Sequence, residues 1–331
     1  MPNPYISGTG FYLPPRIVTN DELSSYMDTT DEWIQERTGI KERRYVEKGV
    51  GPSDLAIPAT EQALKAAGLT VSDIDFIIFA TSTPDFYAPG SGCVLQEKMG
   101  FNEIGALDIR VQCSGFIYGL SIAEQYIRTG NFKNILLIGA EVQSTAMNLT
   151  DEGRDTAIIF GDGSGAAIIS ATEENKGILS THMHSEGKYL KELWLEAPAS
   201  NAGHPRITGE VLDEGKQYLK MNGKEVFRHA VTRFPEVINE ALEANNLTSE
   251  NINLLIPHQA NLRITQMVQK RLGLSNDQVF SNIHKYGNTT AATIPIALAE
   301  ALNEGRIKDG DLLVLAAFGA GFTWASAIMK W

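Results

Sequence analysis

Short unbroken apolar runs alternate with longer stretches of helical period along the whole chain. FIIFATST (76–83), GALDIRVQ (105–112), NLLIPH (253–258) and the runs ILLIGA and DLLVLAAFG read as buried strands. TAIIFGDGSGAAIISA (156–171) reads as two strands joined by a Gly-rich turn, or as one bulged strand. After Cys113 come Gly115, Phe116, Ile117, Gly119, Leu120, Ile122 and Ala123, with few charges over the first three turns. A helix apolar on all sides is buried, so Cys113 is expected to begin a helix that runs through the middle of the molecule. Alternation of this kind predicts an α/β fold with mostly parallel central strands and helices on the faces.

The pattern also repeats. From Cys113 the chain enters a helical stretch, reaches Gly130 after 17 residues (130 − 113) and turns into ILLIGA. From Asn288 it reaches Gly305 after 17 residues (305 − 288) and turns into DLLVLAAFG. Upstream, ALKAAGLTVSDIDFIIFATS from Ala63 matches ALEANNLTSENINLLIPHQA from Ala241 at an offset of 178 (241 − 63). Ala63/Ala241, Leu64/Leu242, Leu69/Leu247, Thr70/Thr248 and Ile74/Ile252 pair by identity. A repeat this long predicts one βα module used twice across a pseudo-twofold axis, with halves at 1–172 and 173–331. Corresponding helix starts then converge on one site, a thiol from one half and a carboxamide from the other. Between the repeats, LEAPASNAGHPRITGEVLDEGK (195–216) reads as an inserted loop or flap.

Composition narrows the function. At 331 residues the chain buries a large core, as one large domain or two medium ones. Its longest apolar runs fall short of the roughly 18–20 residues that span a bilayer. MPNPYISGTGFYLPP lacks the basic start and apolar stretch of a signal peptide, and two cysteines make no disulfide framework. A cytoplasmic protein with no membrane contact is expected. A net charge of −12 argues against nucleic acid and makes any local basic cluster conspicuous.

Candidate chemistry follows from position. A cysteine at a buried helix start faces free N–H groups and the positive end of the helix dipole, which would lower the Cys113 pKa and favour the thiolate. The same residue also suits a small core position. Cys93, in PGSGCVLQ, has no such context and reads as structural. His258 ends a predicted strand, where α/β sheets bind ligands, and Pro257 fixes its backbone. Asn288, in KYGNTT, also suits a helix N-cap. His182 and His184 lack the cysteine or carboxylate companions of a zinc site, so no metal is expected. FGDGSGAA (160–167) and FGAGFTWA (318–325) fit tight turns better than phosphate cradles. A turn near Cys113 offers half of an oxyanion hole.

Together DIRVQCSGF, IPHQANLRI, KYGNTTAATIP, FGAGFTWAS and TTDEWIQERTGIKER (29–43) resemble the β-ketoacyl-acyl-carrier-protein synthase III family of thiolase-like condensing enzymes. The resemblance covers nearly the whole chain. It implies two βαβαβαββ-type halves in a five-layer αβαβα fold, a homodimer, and no cofactor beyond a CoA thioester as substrate. It implies that an acyl-CoA primer acylates Cys113 and that malonyl-acyl-carrier protein then enters. His258 and Asn288 hold the thioester carbonyl of that second substrate during loss of CO₂. Backbone N–H groups of Cys113 and Ala320 bind the oxyanion, Ala320 standing where the family often has Gly. Trp33 and Arg154 match positions that sandwich the CoA adenine. Thr29, Arg37, Gly223 and Asn261 match further CoA contacts, and Phe227 and Met221 match the acyl-tunnel lining. Arg263, Lys270, Arg271 and Arg228 form a basic rim for an acidic carrier protein. Ala88, in Ala88-Pro89-Gly90, replaces a bulky residue that reaches into the neighbouring subunit's acyl pocket, which points to primers longer than acetyl. Same-fold enzymes of secondary metabolism and an inert carrier-binding module are the rival readings.

Overall fold

A computed structural model describes residues 2–331. The main elements are β1 (Asn3–Tyr12), α1 (Pro52–Ala67), β2 (Phe76–Ala80), β3 (Gly105–Ile109), α2 (Gly115–Arg128), β4 (Asn134–Glu141) and β5 (Gly163–Thr172). They continue with β6 (Gly177–Ser185), α3 (Gly223–Ala244), β7 (Leu254–Pro257), α4 (Leu262–Leu272), α5 (Thr293–Asn303), β8 (Leu312–Gly319) and β9 (Thr323–Lys330). One sheet has the order β1-β5-β4-β2-β3 and the other β7-β8-β9-β6. Read from the opposite edge, the second sheet repeats the first, β6, β9, β8 and β7 taking the places of β1, β5, β4 and β2.

The duplication reaches into the turns. Thr70 and Thr248 each open a short 3-10 turn closed by a capping box, to Asp73 and Asn251 respectively. Ile74 and Ile252 are both buried behind these turns. Gly130 and Gly305 both stand in the left-handed region, with φ of 74° and 68°, just past the central helices.

Expectation and structure differ on strand direction. Of the ladders in the two sheets, β2–β3, β2–β4 and β7–β8 are parallel, and β1–β5, β4–β5, β8–β9 and β6–β9 are antiparallel. The sheets are therefore mixed. Each half ends with a return strand, β5 or β9, that runs back along its neighbour without a crossover helix. Residues 156–171 are neither a hairpin nor a bulged strand. Arg154–Ala157 is a single helical turn, and only Gly163–Thr172 is strand.

Helices α2 and α5 lie between the sheets. Phe116, Ile117, Leu120, Ile127 and Leu298 pack there against Ile78, Leu254, Ile256 and Leu315. Every residue of α5 from Thr293 to Ala301 is buried, so no polar face was available to it. Outside, α1 covers the first sheet through Ala56, Ala59 and Ala63, and α3 with α4 covers the second through Phe234, Ile238 and Val268. The layers are thus α, β, α, β, α. No helix among the described residues is long and apolar enough to cross a membrane.

Candidate active site

Cys113 lies in a 3-10 turn, Gln112–Ser114, that leads directly into α2. Gly319, the last residue of β8, passes against it. A Cβ at 319 would stand 2.5 Å from Cys113 Cβ and 2.8 Å from its sulfur, so only glycine permits this approach. Thr323 Oγ1 lies 3.1 Å from Ser114 Oγ and 3.2 Å from the Ala320 carbonyl oxygen, tying the β8–β9 turn to the helix start.

The thiol is not the low-pKa group expected from its position. Burial pushes it up to about 12, and the nearby Glu141 carboxylate pushes the same way. The backbone N–H groups of Cys113 and Ala320 reach the sulfur and oppose this, but weakly. Loss of water outweighs the helix start. The resting thiol is neutral, and the two N–H groups that reach its sulfur are those of Cys113 and Ala320.

His258 follows β7, its N–H extending the ladder to the Ala316 carbonyl at 2.7 Å. Burial drives its imidazole down to about 3, so the ring is neutral. Nδ1 meets Thr293 Oγ1 at 2.6 Å, while Nε2 is buried without a protein partner. Asn288 is pinned on both sides of its backbone, its N–H donating to Ile159 and its carbonyl accepting from Gly161. Its Oδ1 accepts the Thr290 N–H at 2.8 Å. The amide nitrogen is the remaining donor.

Two cavities, of about 590 Å³ and about 460 Å³, meet at Cys113, Phe160 and Leu193. The larger brings His258, Asn288 and Cys113 together with Trp33, Arg37, Gly223 and Asn261. Met221, Phe227 and Arg263 line it as well, and neither Met221 nor Phe227 lines the smaller cavity. Thr29 and Arg154 are not among its lining residues. Thr29 Oγ1 is buried without a partner. Arg154 stands 4.9 Å from the Trp33 ring centre and Arg37 4.4 Å. A flat ring between two flat groups needs about 7 Å, two van der Waals contacts deep, so Arg154 closes on Trp33 directly and must move for a purine to enter. It is held by donating to the Asp28 carbonyl at 2.7 Å.

The smaller chamber lies beyond Cys113, lined by Ser82, Tyr87, Leu193, Trp194, Leu195 and Leu219 among others. Leu195, Pro198, Ala199 and Ser200 place the 195–216 segment in its wall. That segment folds back on itself, Ala197 N–H donating to the Lys216 carbonyl at 3.0 Å. Arg206 caps the Tyr87 ring at 4.6 Å. Ala88 is exposed and lines neither cavity of its own chain.

The four basic residues are all exposed, Arg263, Lys270 and Arg271 on α4 and Arg228 on α3. Arg271 is drawn back by a 2.6 Å bond to the Val231 carbonyl, and Arg228 pairs with Glu225. Lys224, unremarked in the sequence, lines the entrance beside Gly223. Cys93 is exposed and away from both cavities. His182 and His184 share Glu240, and no group of three or more metal-binding side chains occurs among the described residues.

The 3-oxoacyl-[acyl-carrier-protein (ACP)] synthase III family matches residues 107–187, and its C-terminal region matches 242–331. The beta-ketoacyl-[acyl-carrier-protein] synthase III of Caldanaerobacter subterraneus subsp. tengcongensis is 47% identical over 326 residues, 98% of this chain and 97% of that one. The crystal structure of 3-oxoacyl-[acyl-carrier-protein] synthase III from Aquifex aeolicus VF5 matches with a TM-score of 0.90 at 41% identity, over 99% and 100% of the two chains. That from Thermus thermophilus matches at 0.91 and 40%, over 99% of each. The chain belongs to the 3-oxoacyl-acyl-carrier-protein synthase III family. It is therefore an acyltransferase-type condensing enzyme with a thiolase-like fold.

Sequence reasoning about this synthase passed over Glu141. It ends β4 inside the protein, where Ser82, Thr83 and Gln143 bond its carboxylate. Burial raises its pKa to about 7 from 4.5. A raised carboxyl stabilises the fold below its unfolded pKa, and that contribution is lost as pH climbs through the folded value. Thermal stability should therefore fall between about pH 5 and pH 8 in wild type and vary less in Glu141→Gln. Because ionised Glu141 opposes the thiolate, the variant should also alkylate faster with iodoacetamide above pH 8 and at the wild-type rate below pH 6. Parallel profiles over the whole range would separate Glu141 from the thiol.

Proposed function

We propose that this synthase joins an acyl-CoA primer to malonyl-acyl-carrier protein with loss of CO₂, through a thioester on Cys113. The observation that carries this is the meeting of two chambers at one thiol. The chamber with His258 and Asn288 opens past Arg37, Lys224 and Arg263, cations suited to a phosphorylated carrier arm. The other, walled in part by Leu190, Leu193, Leu195 and Leu219, takes the acyl chain.

In the first step the Cys113 sulfur bonds the thioester carbon, the C–S bond to CoA breaks, and CoA leaves with the thiol proton. Negative charge passes to the carbonyl oxygen, which the Cys113 and Ala320 N–H groups receive. This relieves the cost that burial places on a free thiolate. In the second step Asn288 and His258 donate to the malonyl thioester oxygen, and the C–CO₂ bond electrons become an enolate. Its carbon attacks the Cys113 thioester, and the sulfur leaves and is reprotonated. Arg263 and Lys270 are the docking cations for the acidic carrier protein, with Arg228 and Arg271 behind them. Trp33, Arg37 and Asn261, with Thr29, Gly223 and a displaced Arg154, hold the CoA nucleotide.

A homodimer fits the open edge of the first sheet, where β3 pairs only with β2. Ala88, exposed in one chain, then faces the partner's acyl chamber. A primer longer than acetyl gains about 0.8 kcal/mol, roughly fourfold, for each CH₂ it buries there. Intact-mass measurement after incubation with acetyl- to decanoyl-CoA should show medium chains loading in preference to acetyl, and Ala88→Phe should shorten the preferred chain. Preference for acetyl-CoA over every longer primer, unchanged by Ala88→Phe, would remove position 88 from chain-length control. Absence of any adduct would remove the thioester itself.

A further inference from the structure

Asn288 and His258 each present one atom to the substrate chamber, and each is held from behind. The hold on Asn288 is unambiguous, because the Thr290 N–H occupies its Oδ1 and leaves the amide nitrogen as the donor. An imidazole is different, since either ring nitrogen can carry the proton. Nε2 of His258 is buried and without a partner, and the ring lines the chamber. Nδ1 lies 2.6 Å from Thr293 Oγ1, and the same hydroxyl lies 3.1 Å from the Thr290 carbonyl oxygen. One hydroxyl hydrogen serves one of these acceptors at a time. Given to Nδ1, it leaves the ring proton on Nε2, aimed at the substrate. Given to Thr290, it makes Nδ1 the donor and leaves a bare lone pair facing the enolate oxygen.

We propose that Thr293 is a positioning residue that gives its hydroxyl hydrogen to Nδ1 and so holds His258 in the Nε2–H form required for decarboxylation. This rests on the condensing reading given above. Three observations carry it. The Nδ1 contact, at 2.6 Å, is the shorter of the two, and the 3.1 Å contact to the Thr290 carbonyl lies beyond the usual O–H···O length, which favours Nδ1 as the acceptor of the hydroxyl hydrogen. Thr293 and His258 are both buried, at 2% and 1% exposure, so water does not compete. Thr290, whose N–H holds Asn288 and whose carbonyl flanks Thr293, stands at φ 50°, a region costly for a β-branched residue. One strained residue thus borders both holds.

Thr293→Val keeps the shape and removes the hydrogen, and Thr293→Ser keeps the hydrogen. Three measurements on the full-length protein decide the matter: the His258 tautomer by ¹⁵N NMR without substrate, malonyl-carrier-protein decarboxylation by unprimed enzyme, and acyl-enzyme formation. Wild type and Thr293→Ser should show Nε2–H. Thr293→Val should no longer fix one tautomer, so that Nδ1–H appears beside Nε2–H, and should decarboxylate about tenfold more slowly, the effect of one buried hydrogen bond. Its acylation, which does not draw on His258, should fall less. An Nδ1–H signal in wild type overturns the proposal. So does wild-type decarboxylation by Thr293→Val, or an equal loss in both half-reactions without rescue by Thr293→Ser, which marks Thr293 as packing alone. A wild type that acylates but never decarboxylates sinks the condensing reading instead, and the NMR tautomer still decides the hold.

Discussion

Cys113→Ala should leave no covalent acyl adduct with any acyl-CoA, a complete loss and not a slowing. The sulfur is the only nucleophile at the junction of the two chambers, and the other cysteine, Cys93, is exposed and lines neither. Intact-mass spectrometry reads the outcome directly. Decarboxylation of malonyl-carrier protein should persist in this variant, because in the proposed reaction it draws on His258 and Asn288 and not on the thiol. An adduct that persists and maps to Cys93 would overturn the assignment. The high pKa of the thiol adds a second expectation. Without a substrate carbonyl to take the charge, Cys113 should react sluggishly with iodoacetamide at neutral pH, although it acylates readily.

His258→Ala and Asn288→Ala should each slow condensation on the order of 10²–10³, by analogy with loss of one oxyanion donor. Both should still form the Cys113 acyl-enzyme, since their donors face the second substrate. A double variant should lose less than the product of the two single effects, because both donors serve one oxygen. Single-turnover acylation and malonyl decarboxylation, measured separately, give the test. Normal condensation by either variant would show that the residue is structural. Equal loss in both half-reactions would show that the chamber had collapsed.

Part of this is legible in the sequence. The Cys113/Asn288 correspondence and the 178-residue offset announced the duplication, and the sheets carry it in their strand order. The His258 position at a strand end and the buried helix after Cys113 were readable for the same reason: periodicity and breakers are local properties. Strand direction in β5 and β9 was not, because a glycine-rich turn looks alike whether the chain continues or reverses. Gly319 was noticed as part of a turn, but its role beside Cys113 comes from a packing distance. Thr293 drew no attention within TAATIP, since a threonine in an apolar run reads as core.

What the chain order alone determined is the set of reactive groups, the two-fold repeat that brings them together, and the acidic surface against which a few cations stand out. These depend on residue identity and spacing. What the tertiary structure decided is how those groups are poised. The helix start that should have lowered the Cys113 pKa is overridden by burial and by Glu141, and burial keeps His258 neutral. Arg154 rests on Trp33, and Arg271 is turned back to a carbonyl. Desolvation and hydrogen-bond direction depend on the atoms that surround a group in space. Those atoms come from parts of the chain far apart in sequence, and folding alone brings them together.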